Sequence, residues 1–325
     1  MMLLSMIAAF IMPLELFLFA YAVLGPFHYL TEISWLHDRK YFTKSKHDYL
    51  VLVSVGVLVT LESLGFNLLM STKAIFFAFT GSALMAFVRN ASMKTLGFVF
   101  LILFSNVLFS DHQDNTLTWL SSILLPTLIH VFVFTGVFIL VGALKSKSKS
   151  GMISFAVFLL CPVLLCTLFQ GHQFIAATQY GKDSYFSGGD GFFQLNLSIL
   201  QRVFDVDFSS QPTLAQVNEQ LFSSATGIAL MRLIAFSYTY HYLNWFSKTE
   251  VIRWHQVPRA RFLMVVLLWV ASVILYSLNY SLGLRWLAFL SFTHVLLEFP
   301  LNMNSFAELG KQISMRIRNS QTIRS

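Results

Sequence analysis

Charge is what this chain has least of. Only 11% of its 325 residues are Asp, Glu, Lys or Arg, less than half the roughly 25% usual in soluble domains. No polar stretch is long enough to build a second core, so one membrane-embedded domain over residues 1–325 is expected. Cysteine is almost missing. Cys161 and Cys166 stand five apart, roughly 140° around a helix, which argues against a disulfide or zinc pair and for buried thiols. There is no G-x-S-x-G, Walker loop, G-x-G-x-x-G or HExxH, and no H-x-x-H-H cluster of the membrane desaturase kind. No internal repeat is visible, which weakens a transporter reading. The first 25 residues lack a basic n-region and a cleavage site, and read as a spanning helix rather than a signal peptide.

What is present is apolar: 56% of residues are hydrophobic and the mean hydropathy is +0.67. A bilayer core needs about 20 mostly apolar residues per helix. Nine runs approach that length: 3–30, 49–70, 73–89, 94–110, 117–143, 152–171, 221–246, 261–280 and 284–304. They are continuous rather than alternating, so the expected fold is all-α, a polytopic transmembrane helical bundle, and not a barrel.

The loops carry a topology. Arg39, Lys40, Lys44 and Lys46 follow the first run, Arg89 and Lys94 join the third and fourth, and "KSKSKS" (145–150) joins the fifth and sixth. Lys248, Arg253, Arg259 and Arg261 join the seventh and eighth, and the tail is basic. Between them lie "SDHQDN" (110–115), "NYSLG" (279–283) and a long acidic-leaning segment, 172–218. By the positive-inside rule the N-terminus is outside and the C-terminus cytoplasmic. The net charge of +7 therefore encodes orientation, and no nucleic-acid partner is expected. The 172–218 segment becomes an extracytoplasmic loop, in which "NLSILQRVFDVDF" has the pattern of a short surface helix and "SGGDG" that of a turn rather than an EF-hand.

Ionisable residues inside apolar runs are costly, about 2.5–3.5 kcal/mol each on insertion scales, and persist where they pair, bind or react. Glu62 and Arg232 both fall at about 21 Å from the cytoplasmic side by helical rise, and a buried ion pair between them is expected. His28, His130, His241 and His294 lie on four different runs at broadly similar depth. Four imidazoles so placed suit iron, copper or zinc. Glu32 follows His28 by four and Glu298 follows His294 by four, which puts each carboxylate on its histidine's helix face as an outer hydrogen-bond acceptor. Ser237, His241, Asn244 and Lys248 form a polar stripe of the kind that faces a bundle interior. Scattered polar struts, or a proton or ion pathway, remain the other readings of these residues. His37, His47 and His255 fall in cytoplasmic loops and His112 and His172 in outer ones.

These islands resemble a family. "GPFHYLTE" resembles the first motif of the bacterial Brp/Blh-type dioxygenases, integral membrane proteins that cleave β-carotene to retinal, with His28 and Glu32 in the places of the motif's histidine and acid. "LIHVFVFTG" with His130, "FSYTYHYLNWF" with His241 and "FTHVLLEF" (292–299) are similar to its later motifs. The departures are Phe27 inserted before His28, Glu for Asp at 32, no glycine and aspartate after His130, Trp at 245 where the motif has a second histidine, and an added outer loop. The resemblance implies a non-haem iron (Fe2+) held by His28, His130, His241 and His294, with Glu32 and Glu298 as the accompanying catalytic acids. It implies a membrane-borne hydrophobic substrate such as a carotenoid, and a bacterial cytoplasmic membrane. The alternative class is a transporter or non-catalytic scaffold.

Overall fold

The structure is a computed structural model that describes residues 1–110, 116–187, 190–208 and 213–322. Every regular element among these residues is helical. Six helices are long and apolar enough to cross a membrane: Pro13–Asp38, Ala91–Leu108, Thr116–Lys145, Lys149–Thr167, Arg259–Leu278 and Tyr280–Arg318. A seventh span results if Leu214–Phe222 and Ala225–Ser247, bent by 71° at their junction, count as one. Ala91–Leu108, Lys149–Thr167 and Arg259–Leu278 bury under a fifth of their apolar windows. Helices with that much exposed Leu, Val, Ile and Phe face lipid, and the chain is an integral membrane protein.

The expected first run, 3–30, is broken. Met2–Ile11 ends at Met12, whose ψ of 67° leaves the helical region. Pro13 is the reason, because its ring disfavours the α conformation in the residue before it while suiting the first turn of the next helix. That next helix then continues to Asp38. Other bounds also move. The run 49–70 yields a helix only over Asp48–Ser63, and the last helix runs through Pro300 to Thr322, far past 304. A helix does form in the long loop, over Asp190–Val203, while Gly188 and Gly189 of "SGGDG" and residues 111–115 of "SDHQDN", with His112, lie outside the described residues.

Contacts gather the chain into two compact units. The first comprises Met1–Thr31 and Phe158–Leu287. Its central helix, Ala225–Ser247, is buried nearly all round and packs on Met2–Ile11, Pro13–Phe19 and Leu214–Phe222. Gly227 permits the sharp bend before it, since a Cβ there would be driven into the carbonyl oxygens of Gln220 and Leu221. The second unit comprises Glu32–Val157 and Ala288–Ser325. Its core joins Leu36, Leu52, Ile75, Phe134, Leu297 and Phe299, with Phe79 and Phe134 stacked at 7°. Lys94 and Asp48 form a buried ion pair of 2.7 Å in this unit, and Lys94 also donates to the Ser45 hydroxyl.

The two charges expected to pair, Glu62 and Arg232, fall in different units and each bonds to backbone within its own. Arg232, in the first unit, donates to the carbonyls of Leu168, Phe169 and His172. Glu62, in the second, accepts both the Met70 and Ser71 amides at 3.0 Å and so caps the helix Ser71–Phe87. Equal depth was the only basis for pairing them, and each charge finds backbone partners near the end of a neighbouring helix instead. Both cysteines are free thiols; Cys161 is buried as expected, whereas Cys166 is half-buried.

Candidate metal centre

The helix Pro13–Asp38 carries His28 and Glu32 one turn apart, both buried. A widened π turn, Ala20–Leu24, immediately precedes this stretch. Such a turn inserts one residue into the helical phase and re-aims everything after it. Gly25 follows because the space beside it is taken, and a Cβ there would stand 3.0 Å from the Tyr29 hydroxyl and 3.3 Å from that of Tyr242.

In the first unit His28 meets His241 of the helix Ala225–Ser247. Their Nε2 atoms are 3.0 Å apart. In the neutral pair one ring donates and the other accepts. Two imidazoles so placed could also serve as nitrogen donors to a first-row metal. Aromatic side chains wall the pair. Tyr29 and Tyr242 share a hydroxyl hydrogen bond of 2.8 Å, and Tyr242 and Trp245 lie 5.1 and 5.4 Å from the His28 ring. Trp245 donates to the Thr31 hydroxyl at 3.0 Å, which fixes the indole against the imidazole.

In the second unit His130, His294, Glu32 and Glu298 are all buried. His130 sits near the end of a π-helical stretch, Leu120–Phe134, that contains Pro126. Proline has no N–H and its ring crowds the carbonyl four residues back, a strain that the wider turn relieves. His130 Nδ1 lies 3.0 Å from Glu298 Oε2, and the His130 and His294 rings are 5.1 Å apart, edge to face. His294 Nδ1 donates to the Leu290 carbonyl at 3.3 Å. A carbonyl only accepts, so this bond holds the proton on Nδ1 and makes Nε2 the basic nitrogen of the ring. Ligating atoms of Glu32 and His294 come within 4.8 Å.

Chemically the second unit offers two imidazoles and two carboxylates in an apolar interior. Two buried carboxyl groups this close are not both ionised unless a protonated histidine or a metal cation offsets their charge; otherwise they hold protons. Imidazole with carboxylate is also the donor mixture suited to iron(II) and its first-row neighbours. The residues present therefore fit a divalent metal.

Each of the six sequence-derived site residues is buried, and each is brought to another of them within its own unit. Glu298, expected to serve the histidine on its own helix, reaches His130 on another. The hydroxyl pair Tyr29–Tyr242 was not anticipated. Its only sequence signal is the tyrosine density of "YTYHYLNW" (238–245). His47, His172 and His255 are exposed outside the helices, in keeping with loop positions; His37 is exposed too but sits in the last turn of the helix that ends at Asp38, not in a loop, and shares a 3.3 Å contact with the Tyr41 hydroxyl. No protein-family model, curated protein or solved structure matches this chain.

Proposed function

We propose that this chain is a membrane-embedded, metal-dependent oxygenase, with iron held by His28, His130, His241 and His294 and attended by Glu32 and Glu298. The observation that carries the reading is the buried quartet His130, His294, Glu32 and Glu298 of the second unit. Bound iron would supply a site at which dioxygen is activated. The protein's part is positional. The Leu290 carbonyl holds the His294 proton on Nδ1, and Glu298 orients the His130 ring through Nδ1. Phe, Tyr and Trp side chains exclude water and favour an apolar, lipid-borne substrate such as a carotenoid.

The topology belongs to the same proposal. The seven long spans, joined by the shorter helices Asp48–Ser63 and Ser71–Phe87, make nine crossings with the N-terminus outside. The bilayer is a bacterial cytoplasmic membrane.

Metal analysis of the purified full chain, prepared with iron available, tests the reading. About one iron per chain is expected, lost on His28→Ala and on His241→Ala. A folded wild type without metal would overturn it in favour of a transporter or scaffold whose buried histidines and glutamates act as struts or a proton relay.

A further inference from the structure

Cations crowd one end of the second unit. "RKYFTKSK" (39–46), Arg89, "KSKSKS" (145–150) and the last helix from Lys311 to Arg318 carry eleven exposed cations there against two acids, Asp38 and Glu308, with Lys94 and Asp48 set aside as a buried pair. In the first unit the richest stretch, 248–261, holds four against Glu250. The basic segments of the second unit also meet. The Lys44 amide donates to the Met85 carbonyl at 2.8 Å, which sets 39–46 beside the turn that holds Arg89. Asn304 of the last helix donates to the Phe42 carbonyl at 3.5 Å. His130 meets His294 and Glu298, and Phe134 meets Phe299 and Phe306, so these two helices run in the same direction. Eleven residues on from Phe134 is Lys145, and the same advance from Phe299 and Phe306 reaches positions 310 and 317. Lys145 therefore stands level with Lys311 and Arg316.

We propose that this end of the second unit is a docking surface for anionic phospholipid, the phosphodiester headgroups of one leaflet lying against the cations. Charge complementarity and exposed apolar area together name the occupant. A second copy of the chain would set like charge against like. A soluble polyanion would satisfy the cations but leave Ile313 and Ile317 in water. These two stand four apart, 46% and 54% exposed, on a stripe that Phe306 and Leu309 begin. An anionic leaflet takes both, since its phosphates face the cations and the acyl boundary beneath them receives the isoleucines. The Lys and Arg stems lie along that apolar surface while their charged ends reach the phosphates.

The test is lipid retention by the purified full chain, read by native mass spectrometry from nanodiscs of equal phosphatidylglycerol and phosphatidylcholine. The wild type should retain phosphatidylglycerol about tenfold in excess, a preference that fades in about 1 M salt as the screening length shrinks to about 3 Å. One cation beside an anionic surface contributes about a fivefold factor, so removing three should abolish most of the preference. Two variants do so independently: Lys311→Gln with Arg316→Gln and Arg318→Gln, and Lys145→Ser with Lys147→Ser and Lys149→Ser. If one fails to fold, the other still decides. Lys73→Gln lies at the far end of the helix that holds Met85 and should leave the preference unchanged. Equal retention of the two lipids by the wild type overturns the proposal, as does a preference that survives in a folded triple variant. A fall of the same size in Lys73→Gln overturns it too, by assigning the attraction to net charge. Tight binding of soluble heparin without any lipid preference would give the surface to a soluble polyanion instead.

Discussion

The two units bury histidines equally well but surround them with opposite chemistry. In the first, His28 and His241 meet each other among Tyr29, Tyr242 and Trp245. In the second, His130 and His294 meet Glu298 and Glu32. A neutral imidazole pair can satisfy itself by sharing one proton, so the first arrangement is stable without a cation. Two carboxyl groups in an apolar interior need their charge offset, by protons of their own, by a protonated histidine such as His130 beside Glu298, or by a cation. The difference teaches that the second unit gathers groups whose state depends on charge, and the first a neutral pair inside a fixed aromatic wall.

The scaffolds differ in the same sense, and substitutions should show it. The second unit rests partly on charge. Lys94→Met would strand Asp48, side-chain exposure 8%, with the Ser45 amide as its remaining partner. A loss of about 3–5 kcal/mol of unfolding free energy is expected, measured by denaturant titration in mild detergent. A loss under about 1 kcal/mol, the range of surface pairs, would mean that the pair is solvated and the contrast drawn too sharply. The first unit rests on close packing. Gly227→Ala pushes a Cβ into the backbone before the bend and should cost about 1–3 kcal/mol by the same assay. An unchanged stability would show that the bend opens freely. At the site itself, Glu298→Gln removes the charge facing His130 and should weaken metal binding about 10–100-fold, read by competition with a chelator. If binding is unaffected, the carboxylates are not what holds the cation, and the first unit's neutral pair becomes the better anchor.

How much of this could be read from residues alone depends on range. Apolar runs fix helices locally, so most spans were legible, as was the turn that sets Glu32 on the face of His28. The break at Met12 was legible too, had Pro13 been weighed against the apolar run around it. Tertiary choices were not. Arg232 and Glu62 share a depth along their runs, yet depth carries no azimuth, and each charge bonded to nearby backbone instead. The same gap hid the partnership of Glu298 with His130. An i,i+4 rule sees only the histidine on the same helix, whereas the π turns at Ala20–Leu24 and Leu120–Phe134 re-aim side chains in a way that no regular period encodes.

The smallest effect bears on whether the first unit's phenols are wall or machinery. The Tyr29 and Tyr242 hydroxyls share a hydrogen bond of 2.8 Å, and Gly25 is held small by the same two hydroxyls. If they are wall, Tyr242→Phe should cost about 1 kcal/mol, the net worth of one hydrogen bond. The double change Tyr29→Phe with Tyr242→Phe should then recover most of that loss, since replacing both partners by apolar groups of the same shape leaves neither stranded. Bound metal should be unchanged in either variant, because no carboxylate is touched. A double variant that stays folded but loses metal would place the phenols among the groups that support the centre. The phenols beside His28 and His241 would then do more than enclose that pair, and the contrast drawn for the first unit would fail there.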